Sequence, residues 1–280
     1  MERDYDLRVI SLGAGVQSSA MYEMAAKGLL KPMPDYAIFA DTQCEPDYVY
    51  QHLDRLDKRF GDIIPIRRPS AGSLLQAIEA AADSDSSQRF ASVPFWSAGD
   101  DGREAPGARH CTREYKLDVI KREIRSILGL ARGERAAGRY LVEQWVGISI
   151  DEVQRAKPSR DSWLVVRWPF LYDRPMRRVQ IIDWYRAGGE EVPGKSACSF
   201  CPWRNLDEWR VLRDAEPAAF DEACRVDELI RRDGPMRGMK ALQYVHRSLR
   251  PLREVVDDET LLGTDQIDLF ANECSGICGV

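Results

Sequence analysis

The run Val9-Ile10-Ser11-Leu12-Gly13-Ala14-Gly15-Val16-Gln17-Ser18-Ser19-Ala20-Met21 constrains this chain most: an apolar strand, a loop of small residues, then a helix opening on two hydroxyls. That order is the build of a phosphate cradle. Glycine at positions 13 and 15 allows backbone conformations and close approaches closed to larger residues, and Ser18 and Ser19 sit where a new helix presents free amides and its positive end. No lysine follows the second glycine as in a P-loop, and the glycine spacing departs from the dinucleotide pattern. The same loop would also serve plain strand-to-helix packing, so its neighbours in the fold must decide.

Those neighbours read as an α/β fold, a parallel sheet with helices on both faces. Apolar runs predict strands at Leu7–Leu12, Tyr36–Ala40, Ile63–Arg67, Trp145–Ile148 and Trp163–Trp168. Three- and four-residue apolar spacing predicts helices at Ser18–Lys27, Asp47–Phe60, Ser73–Ala82, Leu117–Leu128 and Val179–Arg186. The stretch from Asp83 to His110, rich in Ser, Gly, Asp and Pro, is too long for a plain connection and is read as a lid, a substrate-binding segment or a surface insertion. After Ala187 the character changes, with helices at Asn205–Ala215 and Pro217–Arg232. The expected division is a nucleotide-binding core over 1–190 and a helical, cysteine-bearing region over 191–280.

Ligands of open α/β sheets bind at the carboxyl ends of the strands. The second strand ends in Asp41-Thr42, which places both beside the glycine loop; Asp41 suits a ribose hydroxyl, the adenine amine or a magnesium ion, or else caps the helix from Asp47. Gly147–Arg155 again follows a strand, which makes Arg155 a candidate phosphate clamp.

Seven cysteines, an odd number, and the charged start Met1-Glu2-Arg3-Asp4 argue against a secreted disulfide framework, and no apolar run is long enough to cross a bilayer. A cytoplasmic chain with no membrane partner is expected. Cys198-Ser199-Phe200-Cys201-Pro202 has the spacing with which two thiolates grip one metal centre; zinc would need two further ligands from Cys111, Cys274 or Cys278, and an iron–sulfur cluster suits three or four thiolates equally well. Cys111 opens a helix, where the dipole favours thiolate, and Arg113 and Lys116 beside it suit an anionic sulfur or phosphate group. Cys44 and Cys224 read as small buried apolar residues. The net charge of −5 speaks against broad attraction to nucleic acid, although Arg231, Arg232, Arg237, Lys240, His246, Arg247, Arg250 and Arg253 crowd one segment, as a solvated face or an anion-binding surface.

Taken together, Ser11–Ser19, Ile38–Glu45, Cys111–Lys116, Gly147–Arg155, Cys198–Pro202 and Glu273–Gly276 resemble, in order and over nearly the whole chain, the PAPS reductase-like branch of the PP-loop, or adenine nucleotide alpha-hydrolase-like, superfamily. The resemblance implies a Rossmann-like HUP fold. It implies nucleotide contacts from Ser11, Gly13, Gly15, Ser18, Ser19, Asp41 and Thr42 to ATP or an adenylyl sulfate (PAPS or APS); Arg155 as a phosphate clamp and magnesium as an accessory ion are expected beside them. It implies a [4Fe–4S] cluster on Cys111, Cys198 and Cys201, whose fourth position is open or filled by Cys274 or Cys278. In the reductases a Glu-Cys-Gly tail supplies the nucleophile, a place that Cys274 takes; for that reaction Arg113, Lys116 and Arg155 are expected here to hold the sulfate or phosphate.

Three departures bear on the reaction. His110-Cys111 stands where adenylyl sulfate reductases carry two adjacent cysteines, the tail reads Glu-Cys-Ser-Gly-Ile-Cys-Gly, and Gln17 stands where ATP-cleaving members carry aspartate. The three-cysteine count favours, as the first expectation, ATP-dependent sulfur transfer to a nucleobase-type acceptor, in tRNA or DNA, from a sulfur donor, with release of AMP and pyrophosphate, while Gln17 speaks against cleavage of magnesium–ATP. The second is reduction of a sulfonucleotide by Cys274 with a thioredoxin-type reductant, and the third a non-catalytic nucleotide or redox sensor with structural zinc.

Overall fold

In a computed structural model, residues 4–83, 93–99, 102–236 and 239–261 are described. Strand β1 (Leu7–Ser11) leads through the glycine loop into α1 (Val16–Ala26), then β2 (Tyr36–Ile38), α2 (Asp47–Phe60), β3 (Ile66–Arg67) and α3 (Leu74–Ala82). A hairpin of β4 (Trp96–Ala98) and β5 (Glu104–Pro106) precedes a helical run: α4 (His110–Thr112), a π-helical turn (Arg113–Leu117) and α5 (Asp118–Ile127). Next come β6 (Val142–Trp145), a 3₁₀ segment (Ile150–Arg155), β7 (Leu164–Arg167), α6 (Pro169–Tyr172) and α7 (Arg178–Ala187). The remaining described elements are α8 (Leu206–Ala215), α9 (Pro217–Leu229), β8 (Gln243–Tyr244) and α10 (Leu252–Asp257).

Five strands form one parallel sheet in the order β3-β2-β1-β6-β7. Side chains alternate along β1, so Ile10 and Leu12 bury against α1, α2 and α7, while Leu7 and Val9 bury against α5. The result is an α/β, Rossmann-like sheet with helices on both faces. Chain order reverses between β1 and β6, which opens a crevice at their carboxyl ends where such sheets bind ligands. No helix among the described residues is long and apolar enough to cross a membrane.

A second apolar body gathers around Trp209, Phe220, Phe200 and Leu252, all 0–1% exposed. It joins α8, α9 and α10 to Leu74 and Ile78 of α3 and to Phe95 beside the hairpin. Asp227, 1% exposed, ties this body together: its carboxylate accepts from the Val245 and Leu252 amides, each at 2.9 Å, and from Arg231 at 2.7 Å.

One sequence expectation is corrected here. The fourth strand of the sheet is Val142–Trp145, not Trp145–Ile148. Glu143 and Gln144 disguised it, yet both are buried and bonded, Glu143 Oε1 accepting from Trp145 Nε1 at 2.8 Å and Gln144 Nε2 donating to Ser11 Oγ at 2.6 Å. Within Asp83–His110 the described residues include the β4–β5 hairpin, whose β4 pairs antiparallel with β8. Short strands containing Pro106 and Ala98 carry little β signal of their own.

The basic segment is largely paired. Arg232 meets Asp233, Arg247 meets Glu104, Arg250 meets Asp258 and Arg253 meets Asp221, at 2.6 to 3.3 Å. Arg237 lies outside the described residues.

Candidate functional site

The glycine loop is braced by Ser18. Its hydroxyl accepts from the Gly13 amide at 3.1 Å and donates to the Gly15 carbonyl at 3.3 Å. The amides of Val16, Gln17 and Ser18, the first turn of α1, have no protein acceptor among the described residues, so they aim the positive helix end into the crevice. The strained position is Ala14, with φ at +58°, whereas Gly15 is extended at φ −91°. The two glycines therefore do not serve a left-handed turn. The glycine that the geometry does require is Gly147, after β6: a Cβ there would stand 3.0 Å from the Ser18 nitrogen and 3.1 Å from the Gln17 carbonyl carbon. Only a hydrogen fits between that turn and the first turn of α1.

Around the loop an open cleft of about 720 Å³ is lined by Ser11, Gly13, Gly15, Gln17 and Ser18, and by the charged residues Lys116, Glu152, Arg155, Arg178 and Lys195. Ser11, Gly13, Gly15, Ser18, Arg155 and Lys116 thus meet as the sequence suggests. Gln17 is at the centre of a polar chain: its Oε1 accepts from Arg178 at 3.1 Å, its Nε2 donates to Glu152 Oε2 at 3.1 Å, and Glu152 Oε1 is bonded by Arg155. Neither Arg178 nor Lys195 was singled out from sequence. Both come from segments far along the chain, and a place in the cleft lining leaves no local pattern around either.

Three expected nucleotide residues stand outside the cleft lining. Ser19 is fully buried and shares a 2.8 Å hydrogen bond with His52 of α2. Asp41 accepts from Tyr50 Oη at 2.9 Å and from the Gln43 amide at 2.7 Å; it does not cap α2, whose first amides, those of Asp47 and Tyr48, are taken by Glu216 at 2.8 and 2.7 Å. Thr42 belongs to a second pocket.

That second pocket, about 440 Å³, brings together Cys111, Cys198 and Cys201 with Thr42, Lys116, Leu74, Phe200 and Trp203. The Cys198–Cys201 turn is pinned from three sides. The Ser199 amide donates to the Cys44 carbonyl at 2.7 Å, Arg204 donates to the Ala197 carbonyl at 2.8 Å, and Trp96 Nε1 donates to the Pro202 carbonyl at 3.1 Å. Thr42 Oγ1 lies 3.3 Å from Cys198 Sγ. Burial, then the Glu45 carboxylate, raises the Cys198 thiol well above its ordinary range, with Lys116 pulling the other way. Among the described residues no three His, Cys, Asp or Glu side chains are placed to hold a metal ion. The three cysteines surround a pocket instead of closing on one point. Cys44 and Cys224 are buried, and burial pushes their thiols up to about 11 and about 12, as inert core cysteines should be.

Lys116 lines both pockets, and its Nζ lies 3.4 Å from Glu45 Oε1. Glu45 Oε2 in turn accepts from Ser196 Oγ at 3.2 Å. Arg113 points elsewhere: its side chain is 77% exposed and lies 3.8 Å from Asp118. Cys274 and Cys278 lie outside the described residues.

No protein-family model matches the chain, and no curated protein does. Among solved structures it is similar to the crystal structure of phosphoadenylyl-sulfate (PAPS) reductase from Candida auris in its phosphate complex, at 13% identity over 68% of this chain and 76% of that one, with a TM-score of 0.40.

Proposed function

We propose that this chain is an enzyme of adenine-nucleotide-dependent sulfur chemistry, holding the nucleotide phosphates in the glycine-loop cleft and handling sulfur at the adjoining cysteine pocket. The observation that carries this reading is the shared wall: Lys116 lines the cleft of phosphate-binding groups and the pocket of three thiols alike. Open amides of α1 and the cations Arg155, Arg178 and Lys195 suit phosphate oxygens. Asp41 and Thr42, at the end of β2, are proposed to turn to the adenosine part.

Two reactions use such a pair of sites. In sulfur transfer, an oxygen of a nucleobase-type acceptor attacks the α-phosphorus of ATP, pyrophosphate leaves, and a sulfur nucleophile then displaces AMP. The convergence of Cys111, Cys198 and Cys201 supports it. Three thiols round an apolar pocket are a donor set suited to a [4Fe–4S] cluster, whose ligands stand farther apart than those of a single ion. When bound, such a cluster would supply a place to hold sulfide. Here the protein's own task is to keep water out with Leu74, Phe200 and Trp203, and to counter thiolate charge with Lys116.

In sulfonucleotide reduction, the Cys274 thiolate attacks the sulfate sulfur and the adenosine phosphate leaves. A thioredoxin-type dithiol then releases sulfite and becomes a disulfide. The cation-rich cleft lining supports this second reading.

The deciding experiment is anaerobic purification with iron and sulfide quantitation, then incubation with ATP plus nucleic-acid acceptors or with PAPS and APS. Pyrophosphate and AMP release is expected for transfer, and sulfite release for reduction. Failure to bind any adenine nucleotide would overturn the proposal.

A further inference from the structure

Strand β2 lies beside β1 in parallel register, Ile38 opposite Ser11, and the Leu12 amide donates to the Ile38 carbonyl at 3.0 Å, so the chain beyond Ile38 runs alongside the glycine loop. A ligand anchored by its phosphates at that loop has the end of β2 as a neighbour along the sheet edge. Asp41 stands there, and its carboxylate is held by one oxygen only. Oδ1 accepts from Tyr50 Oη at 2.9 Å and from the Gln43 amide at 2.7 Å. No donor or cation among the described residues meets Oδ2, and the residue is partly exposed.

The Gln43 bond alone would leave the carboxylate free to turn about its last torsion, which is soft in aspartate. The second donor, from a different element, removes that freedom. Tyr50 is itself fixed: its ring packs against the core cluster that includes Ile10, Ala37 and Leu53, and its oxygen accepts from the Glu45 amide, which leaves the phenol proton for Asp41. Burial, then the Asp41 carboxylate, pushes the phenol well above its ordinary range, so it remains a donor at neutral pH. An ionised carboxylate oxygen only accepts. The group that Oδ2 reads must therefore carry an O–H or N–H, which on an adenine nucleoside means a ribose hydroxyl or the exocyclic amine.

We propose that Tyr50 is a positioning residue: by holding Oδ1 of Asp41 it aims Oδ2 at a donor group of the nucleoside, and so gives the site its preference for a nucleotide over a bare polyphosphate. This rests on the reading of the glycine-loop cleft as the phosphate site and of Asp41 as an adenosine contact, and it holds for either reaction proposed above.

The test is calorimetric titration of the full-length protein with ATP and with inorganic tripolyphosphate, which has the same phosphates without the nucleoside. Tyr50→Phe removes only the hydroxyl; it is expected to weaken ATP binding about fivefold, the worth of one hydrogen bond, and to leave tripolyphosphate unchanged. Asp41→Ala is expected to weaken ATP binding about tenfold to a hundredfold, and in that background Tyr50→Phe should cost nothing more. Three analogues identify the donor: 2′-deoxy-ATP and 3′-deoxy-ATP each lack one ribose hydroxyl, and inosine triphosphate lacks the amine. At least one should bind the parent more weakly than ATP does and be insensitive to Tyr50→Phe. An equal loss for ATP and tripolyphosphate would make Tyr50 merely structural and overturn the inference, as would an undiminished ATP affinity, a full Tyr50→Phe effect in the Asp41→Ala background, or full affinity for all three analogues. Tripolyphosphate bound as tightly as ATP by the parent would remove the Asp41 contact and leave the phosphate cleft standing. Failure of the parent to bind either ligand would remove the phosphate cleft itself, and the inference with it.

Discussion

Gly147→Ala tests whether the strand edge and the glycine loop are one mechanical unit. The added methyl would stand 3.0 Å from the Ser18 nitrogen and 3.1 Å from Gln17 C and Ser18 Cα, all backbone atoms. None of these can rotate away as a side-chain tip would, so the first turn of α1 must move by a few tenths of an ångström. Buried Val16, Gln17 and Ser19 hold that turn in place, and the Ser18-to-Gly13 brace would be stretched from 3.1 Å. Overpacking of this kind costs about 1–3 kcal/mol. At about 2 cal/mol/K of unfolding entropy per residue, a chain of 280 residues would lose about 2–5 °C in Tm. Because the displaced atoms carry the open amides, pyrophosphate affinity should fall about tenfold as well. Differential scanning calorimetry and titration calorimetry read the two effects. Gly13→Ala is the control, since its Cβ would meet only Ser18 Oγ at an ordinary 3.5 Å, and it should shift Tm by less than about 1 °C. Equal Tm values for Gly147→Ala and the parent, or a Gly13→Ala loss as large as that of Gly147→Ala, would refute the reasoning.

Burial, reinforced by the nearby Arg55 charge, lowers His52 to about 4, while in the unfolded chain it titrates near 6.5, so the native state binds the proton less readily. Its contribution is therefore complete above pH 6.5 and is lost as pH falls toward 4, amounting to about 3 kcal/mol; His52→Gln should flatten that part of a urea-denaturation pH series, and parallel curves would count against it. Asp227→Ala leaves the Val245 and Leu252 amides and Arg231 without their shared acceptor, and should cost about 3–5 kcal/mol in chemical denaturation. A loss below about 1 kcal/mol would show that the carboxylate is dispensable. Cys198→Ala should abolish iron incorporation on anaerobic reconstitution yet keep nucleotide binding, because the cleft lining does not include Cys198. Equal loss of both would contradict the division into two pockets.

The local sequence determined the elements that carry their own signal. Apolar runs and the loop Leu12–Val16 are enough to draw β1, α1 and the position of the turn between them, because strand period, small residues and helix start act over a few neighbours. The Cys198–Cys201 spacing similarly announces itself. It did not determine what each polar residue faces. Ser18 and Ser19 are adjacent and alike, yet one braces the loop and the other bonds His52 in the core, because successive helical positions point about 100° apart and only the packed α2 says which side is inside. Strand β6 was masked by Glu143 and Gln144, whose burial makes sense only once Trp145, Arg167 and Ser11 supply their partners.

The candidate site itself is a product of the tertiary structure. Arg178 and Lys195 reach Gln17 and the glycine loop across more than half the chain, and Gly147 is needed only because α1 lies against it. The sequence by itself determined that a glycine loop and a cysteine pair exist; that they share Lys116 as a wall, and that Gln17 and Glu152 link two arginines, was decided by folding, since contacts between distant segments leave no trace in local composition.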